Sequence, residues 1–185
     1  MTFLPISWFP SFYDVRYSGW SMIAGALIIY FLPLILRVPS NSPDAAQKNH
    51  AVDLLQFLIA LAIISDALGA LGLYKLYQIG IPYSYILHIT ITFIGVLLLS
   101  IILKMRFEIQ LPKNIILAFV IIILCSIGWE IFENTSEHFW GTHLTGPDQL
   151  TSTNTTALNL IQDTIGALSG SIIVSLKLRK KSNYK

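Results

Sequence analysis

Five ionisable side chains stand inside stretches that are otherwise almost purely apolar: Asp66, His88, Glu130, Glu133 and Asp163. Neither lysine nor arginine accompanies them there. Carboxylates with one imidazole form a hard, mixed oxygen and nitrogen donor set of the kind that suits a divalent Zn, Mn or Fe. A carboxyl group beside a histidine is equally a proton-transfer pair without any metal. Burying a carboxylate in hydrocarbon is costly unless it is protonated, paired or hydrated. With no basic partner in reach, the choices are protonated acids, a water-filled pocket open to one side, or a bound cation. His138, His143 and Asp148, further along, are possible additional ligands. A phosphate substrate would need a metal to hold its charge, since the set contains no cation of its own. The spacing contains no His-Glu-x-x-His and no paired Glu-x-x-His, and the single cysteine, Cys125, reads as a buried apolar filler.

The elements that must carry these groups are membrane helices. Of 185 residues, 54% are hydrophobic and 12% charged, with a mean hydropathy of +0.66, and the apolar residues fall in long blocks. Five blocks reach the roughly 20 residues a helix needs to cross a bilayer: 18–36, 51–74, 82–103, 112–133 and 157–177. The sequence therefore predicts an all-α, polytopic bundle of five transmembrane helices in a single membrane domain covering 1–185. No cleaved signal peptide is expected, because Arg37 follows the first apolar block instead of preceding it.

Loop charges set the orientation. With the N-terminus outside, Arg37, Lys48, Lys104, Arg106, Lys113, Lys177, Arg179, Lys180, Lys181 and Lys185 are inside, leaving only Arg16 and Lys75 outside. The C-terminus is then cytoplasmic, and the basic tail is a topology anchor, so no nucleic-acid partner is expected. In this arrangement the acids and His88 all lie within roughly 5–12 Å of the outer end of their helices, at 1.5 Å per residue.

Each also belongs to a stripe of small or polar residues that marks a helix-facing side. Helix 2 has Asp66, Gly69 and Ala70, and helix 3 has His88, Thr92 and Gly95. In helix 5, Asn159, Asp163, Gly166 and Gly170 share a face, with Gly166-Ala-Leu-Ser-Gly170 as a G-x-x-x-G. Glu130, Glu133 and Glu137 share a face of helix 4. The inner halves of helices 2 to 5 are almost purely apolar, which predicts a one-sided site and not a channel. The 23-residue segment 134–156 is long for a connection and is expected to be an outer loop over the site. The segment Phe3 to Trp20, with Trp8 and Trp20, is expected at the outer interface.

Four motifs carry a family resemblance. Asn159-Leu-Ile-Gln-Asp163-Thr-Ile-Gly-Ala-Leu-Ser-Gly170 resembles the last-helix motif of VanZ-like membrane proteins, with its aspartate and asparagine exchanged. Gly128-Trp-Glu-Ile-Phe-Glu133, Tyr83-Ser-Tyr-Ile-Leu-His88 and Asp66-Ala-Leu-Gly-Ala-Leu-Gly-Leu-Tyr74 resemble segments of the related YjdF-like inner-membrane proteins, with Ser84 where those carry aspartate. The resemblance implies a bacterial-type plasma membrane and makes Glu130, Glu133, His88 and Asp163 the natural site residues. VanZ-like proteins are associated with glycopeptide-antibiotic resistance.

The expected function is an outward-facing acidic and histidine-containing pocket that binds or acts on a lipid or lipid-linked envelope molecule, with a divalent metal as a candidate cofactor. Glu130 or Glu133 would serve as general base or metal ligand, and His88 as ligand or proton shuttle. Asp163, oriented by Asn159, would be a second ligand or orienting group, and Asp66 a further ligand. A non-catalytic membrane binding protein is the alternative, and an ion or proton transporter the third.

Overall fold

The computed structural model describes residues 15–110, 112–140 and 152–182. Five α-helices follow one another: α1 Val15–Leu36, α2 Ala45–Ala70, α3 Tyr83–Phe107, α4 Lys113–Trp140 and α5 Ser152–Ser182, with a short 3-10 helix at Leu73–Ile79 between α2 and α3. No strand occurs among the described residues. Four segments are long and apolar enough to cross a membrane: Ala45–Gly69, Tyr83–Phe107, Lys113–Ser136 and Thr155–Leu176. In α1 the apolar stretch Met22–Leu36 is shorter and contains Pro33. The outward faces of these helices are studded with exposed Ile, Leu and Phe, as a lipid-facing surface requires. Cys125 lies on such a face and is exposed, so it does not fill a helix contact as its apolar surroundings suggested.

Helix ends differ from the hydropathy blocks for local reasons. α2 begins at Ala45 and not at 51, because the Pro39 to Ser42 turn, with the Ser42 amide donating to the Pro39 carbonyl oxygen, starts the chain into a helix early. It ends at Ala70, since Gly72 takes a φ of 137° that no helix accommodates, and Tyr74 passes into the 3-10 helix. α4 continues seven residues beyond 133, to Trp140, because neither proline nor glycine interrupts the chain before Gly141. The side chain of Asn134 also donates to the Glu130 carbonyl oxygen at 2.8 Å. Much of the expected outer loop is therefore helical, and its centre, 141–151, lies outside the described residues. So do residues 3–14 of the expected interfacial segment, while 15–20 form the start of α1.

The central helix is α3, packed on α2, α4 and α5, and α1 leans chiefly on α2. The most extensive interface joins α3 to α5, and glycines make it possible. A Cβ at Gly166 would collide with Thr92 Oγ1 and the Ile89 carbonyl oxygen, and one at Gly170 would stand 2.8 Å from the Phe93 carbonyl oxygen. The backbones approach this closely only because both side chains are absent. Just below that contact, Val96, Ala118 and Ala167 are fully buried. With Leu103, Leu99, Ile122 and Ile123 they form a dry apolar layer across the middle of α3, α4 and α5.

Between α3 and α4 the chain turns at Glu108, a non-glycine residue held at φ 57° and ψ 21°, with its amide donating to the Lys104 carbonyl oxygen at 3.1 Å. The left-handed conformation penalises a Cβ. Glu108→Gly should therefore raise the unfolding midpoint in detergent, by about 1 kcal/mol of stability. An unchanged or lower midpoint would show that the turn stores no strain.

Candidate functional site

At the end of the bundle where α2 finishes and α3 begins, each acid meets its own partner. Asp163 on α5 faces His88 on α3, with His88 Nδ1 and Asp163 Oδ1 3.0 Å apart and the two side chains 17% and 5% exposed. Glu130 on α4, only 2% exposed, accepts a hydrogen bond at Oε1 from Asn159 Nδ2 on α5, at 3.0 Å. Trp129 Nε1 donates to Glu133 Oε1 at 2.8 Å. Asp66 on α2 accepts from the Tyr74 hydroxyl at 2.8 Å, and Tyr74 packs edge-on against Tyr83, whose hydroxyl reaches the Ser65 carbonyl oxygen at 2.8 Å. Burial, with the Asp66 carboxylate beside it, pushes the Tyr74 phenol up, so it stays a donor across the physiological range.

Three of these partners, Asn159, Trp129 and Tyr74, are neutral donors, and the fourth is the His88 imidazole. Each of the three neutral donors satisfies one lone pair of its carboxylate without bringing a full positive charge. Glu130 is the extreme case: its Oε2 is buried with no hydrogen-bond donor, and Gln162 Oε1, next to Asp163 in sequence, is in the same condition. A buried acceptor without a donor is costly. Both atoms are buried acceptors that no donor among the described residues satisfies.

The sequence-derived residues Asp66, His88, Glu130, Glu133 and Asp163 thus all fall in one layer, but two details differ from expectation. Asn159 does not orient Asp163: it reaches across to Glu130, while His88 orients Asp163. Among the described residues, no group of three or more His, Cys, Asp or Glu side chains stands close enough to hold a metal ion. His138 is exposed and packs edge-on against Phe139. His143 and Asp148 lie outside the described residues. Tyr74 and Trp129 belong to the site and were not singled out as site residues in the sequence. For Trp129 the i, i+4 spacing to Glu133 was a visible signal, whereas Tyr74 reaches Asp66 only because the chain unwinds at Gly72.

Around the layer, Asn134 Nδ2 also donates to Thr156 Oγ1 at 2.9 Å, tying the end of α4 to the start of α5. That side chain is therefore a structural tie between the two helices. On the other side, the apolar layer of Val96, Ala118 and Ala167 separates the acids from the far end of the bundle.

Residues 1–180 match a family model described as predicted membrane protein (DUF2238). Neither the curated proteins nor the solved structures compared with the chain give a match.

Proposed function

The chain belongs to the DUF2238 family of predicted membrane proteins, and we propose that this multi-pass protein uses its acidic layer to bind or act on a lipid or lipid-linked envelope molecule. The layer faces outward in this reading, with the N-terminus outside, the C-terminus cytoplasmic and the whole chain one domain in a bacterial-type plasma membrane, in keeping with the VanZ-like and YjdF-like resemblance of its motifs. The observation that carries the proposal is the pairing of His88 with the buried Asp163. When Nδ1 carries the proton and donates to Asp163, the ring is fixed and Nε2 presents a lone pair. That is the arrangement of a positioned base or of an oriented metal ligand.

Glu130 supplies the second function. Its unpartnered Oε2 is suited to accept a hydroxyl or ammonium donor of the substrate, and Asn159 holds the other oxygen in place. In the metal-dependent form of the proposal, His88 Nε2 and Glu130 Oε2 would be protein donors, with substrate and water completing the shell. Two features weigh against the other readings. The G-x-x-x-G face is consumed inside the chain by α3 and is not free for a partner helix. The apolar layer beneath the acids offers no polar route for a transported ion.

Copurification tests the proposal. The protein is purified in mild detergent without chelator, and bound lipids and metals are measured by mass spectrometry beside Glu130→Gln and His88→Asn. Both variants keep the hydrogen bonds that hold the layer, since glutamine still accepts from Asn159 and asparagine still donates to Asp163. The expected result is unchanged folding with loss of the retained lipid, or of lipid and metal together. Wild-type retention in both variants would overturn the assignment.

A further inference from the structure

A second polar cluster lies toward the opposite end of the bundle, beyond Val96 and beside Leu99 and Leu103. Ser100 and Lys104 follow His88 on α3 by 12 and 16 residues, about 18–24 Å at helical rise. There a cleft of about 440 Å³ opens, lined by Gln47, Ser100, Ile101, Lys104, Asn114 and Val174 among others, contributed by α2, α3, α4 and α5. Three observations describe what it would hold.

Asn114 is 2% exposed, and its Nδ2 donates to the Ser100 carbonyl oxygen at 3.2 Å, which fixes the amide orientation. Its Oδ1 is then buried without a donor. No carboxylate stands within ion-pair distance of Lys104 among the described residues; Asp53 pairs with Arg37 and Asp44 with Lys48, and Glu108, one turn further on, makes no ion pair with it. Most of the cleft wall is apolar, and Ile101, 45% exposed, continues it onto the lipid-facing surface. One cation at the mouth, one buried acceptor and an apolar wall open to the bilayer are complementary to an amphipathic anion that also carries a hydrogen-bond donor.

We propose that this cleft is a binding site for a glycerophospholipid with an anionic, hydroxyl-bearing head group, of which phosphatidylglycerol is the simplest example. The phosphate pairs with Lys104, a head-group hydroxyl donates to Asn114 Oδ1, and the acyl chains run along Ile101 and Val174. The site is separated from the acidic layer by Val96, Ala118 and Ala167.

Native mass spectrometry of the full chain in detergent, titrated separately with phosphatidylglycerol, phosphatidylcholine and inorganic phosphate, tests this. One phosphatidylglycerol should bind about fivefold more tightly than phosphatidylcholine, which has no head-group donor and no net charge, and Lys104→Gln should remove that preference. Lys104→Arg should keep it. Ile101→Trp, on an exposed position that does not endanger folding, should weaken the lipid by obstructing the wall while leaving Lys104 intact. Equal affinity for the two lipids, an unchanged preference in Lys104→Gln, or competition by inorganic phosphate as effective as that by the lipid would each overturn the proposal.

Discussion

Replacing Gly166 with alanine should be among the most damaging single-methyl changes this protein can suffer, costing about 2–3 kcal/mol of stability. The new Cβ would meet two atoms that cannot step aside. One is the Ile89 carbonyl oxygen, part of the α3 backbone. The other is Thr92 Oγ1, held by a 2.7 Å hydrogen bond to the His88 carbonyl oxygen. Separating α5 from α3 is the only relief, and it would draw Asp163 away from His88, since both pairs lie on the same two helices. Gly170→Ala should be milder, at about 1 kcal/mol, because its first obstacle is 2.8 Å away instead of overlapping. Gly128→Ala is the control: no atom lies within 4 Å of the added carbon, and helix propensity alone should make it neutral or slightly stabilising. Thermal unfolding in detergent distinguishes the three, and a Gly166→Ala midpoint equal to that of Gly128→Ala would refute the packing argument.

The second large effect is expected at Glu130 and Asn159. Asn159→Leu takes the amide donor from a buried carboxylate that keeps only the Thr156 hydroxyl beside it, and should cost about 2–3 kcal/mol. Glu130→Leu leaves the Asn159 amide without its acceptor, at about 2 kcal/mol. Making both changes together substitutes apolar surface for a matched polar pair and should cost less than the sum, with a coupling of about 1–3 kcal/mol. Strict additivity of the two single losses would show that the pair is not formed. Because Glu130→Gln preserves the Asn159 bond, its stability should stay near that of the parent, and any loss of ligand in that variant is chemical rather than structural.

Much of this was legible from the chain. Length and hydropathy located the spans, since a helix in lipid must hide its own backbone groups and declares itself by a long apolar run. The small-residue stripes on helices 3 and 5 correctly indicated the faces that meet, because only Gly166 and Gly170 permit the approach. What escaped was partner choice. Asn159 and Asp163 are one turn apart on the same helix, and sequence alone cannot say which neighbour each will reach. The structure sends one to α4 and the other to α3. Tyr74 was hidden inside a predicted helix, and its contact with Asp66 exists only because Gly72 lets the chain fold back. Polar residues after Phe132 resembled a loop by composition, but local hydrogen bonding by Asn134 and the absence of a breaker kept them helical.

The dry layer formed by Val96, Ala118 and Ala167 has an electrical consequence. Moving one elementary charge through the whole membrane voltage is worth about 2.3 kcal/mol per 100 mV, but the field concentrates where the medium is least polarisable. In this molecule that is the packed apolar half, not the acid layer above it. On the proposed outward-facing placement, a proton or cation reaching Glu130 or Asp163 from the nearer compartment would cross only a small share of the voltage, and occupancy of the layer would follow the composition of that one compartment, nearly indifferent to how strongly the membrane is energised.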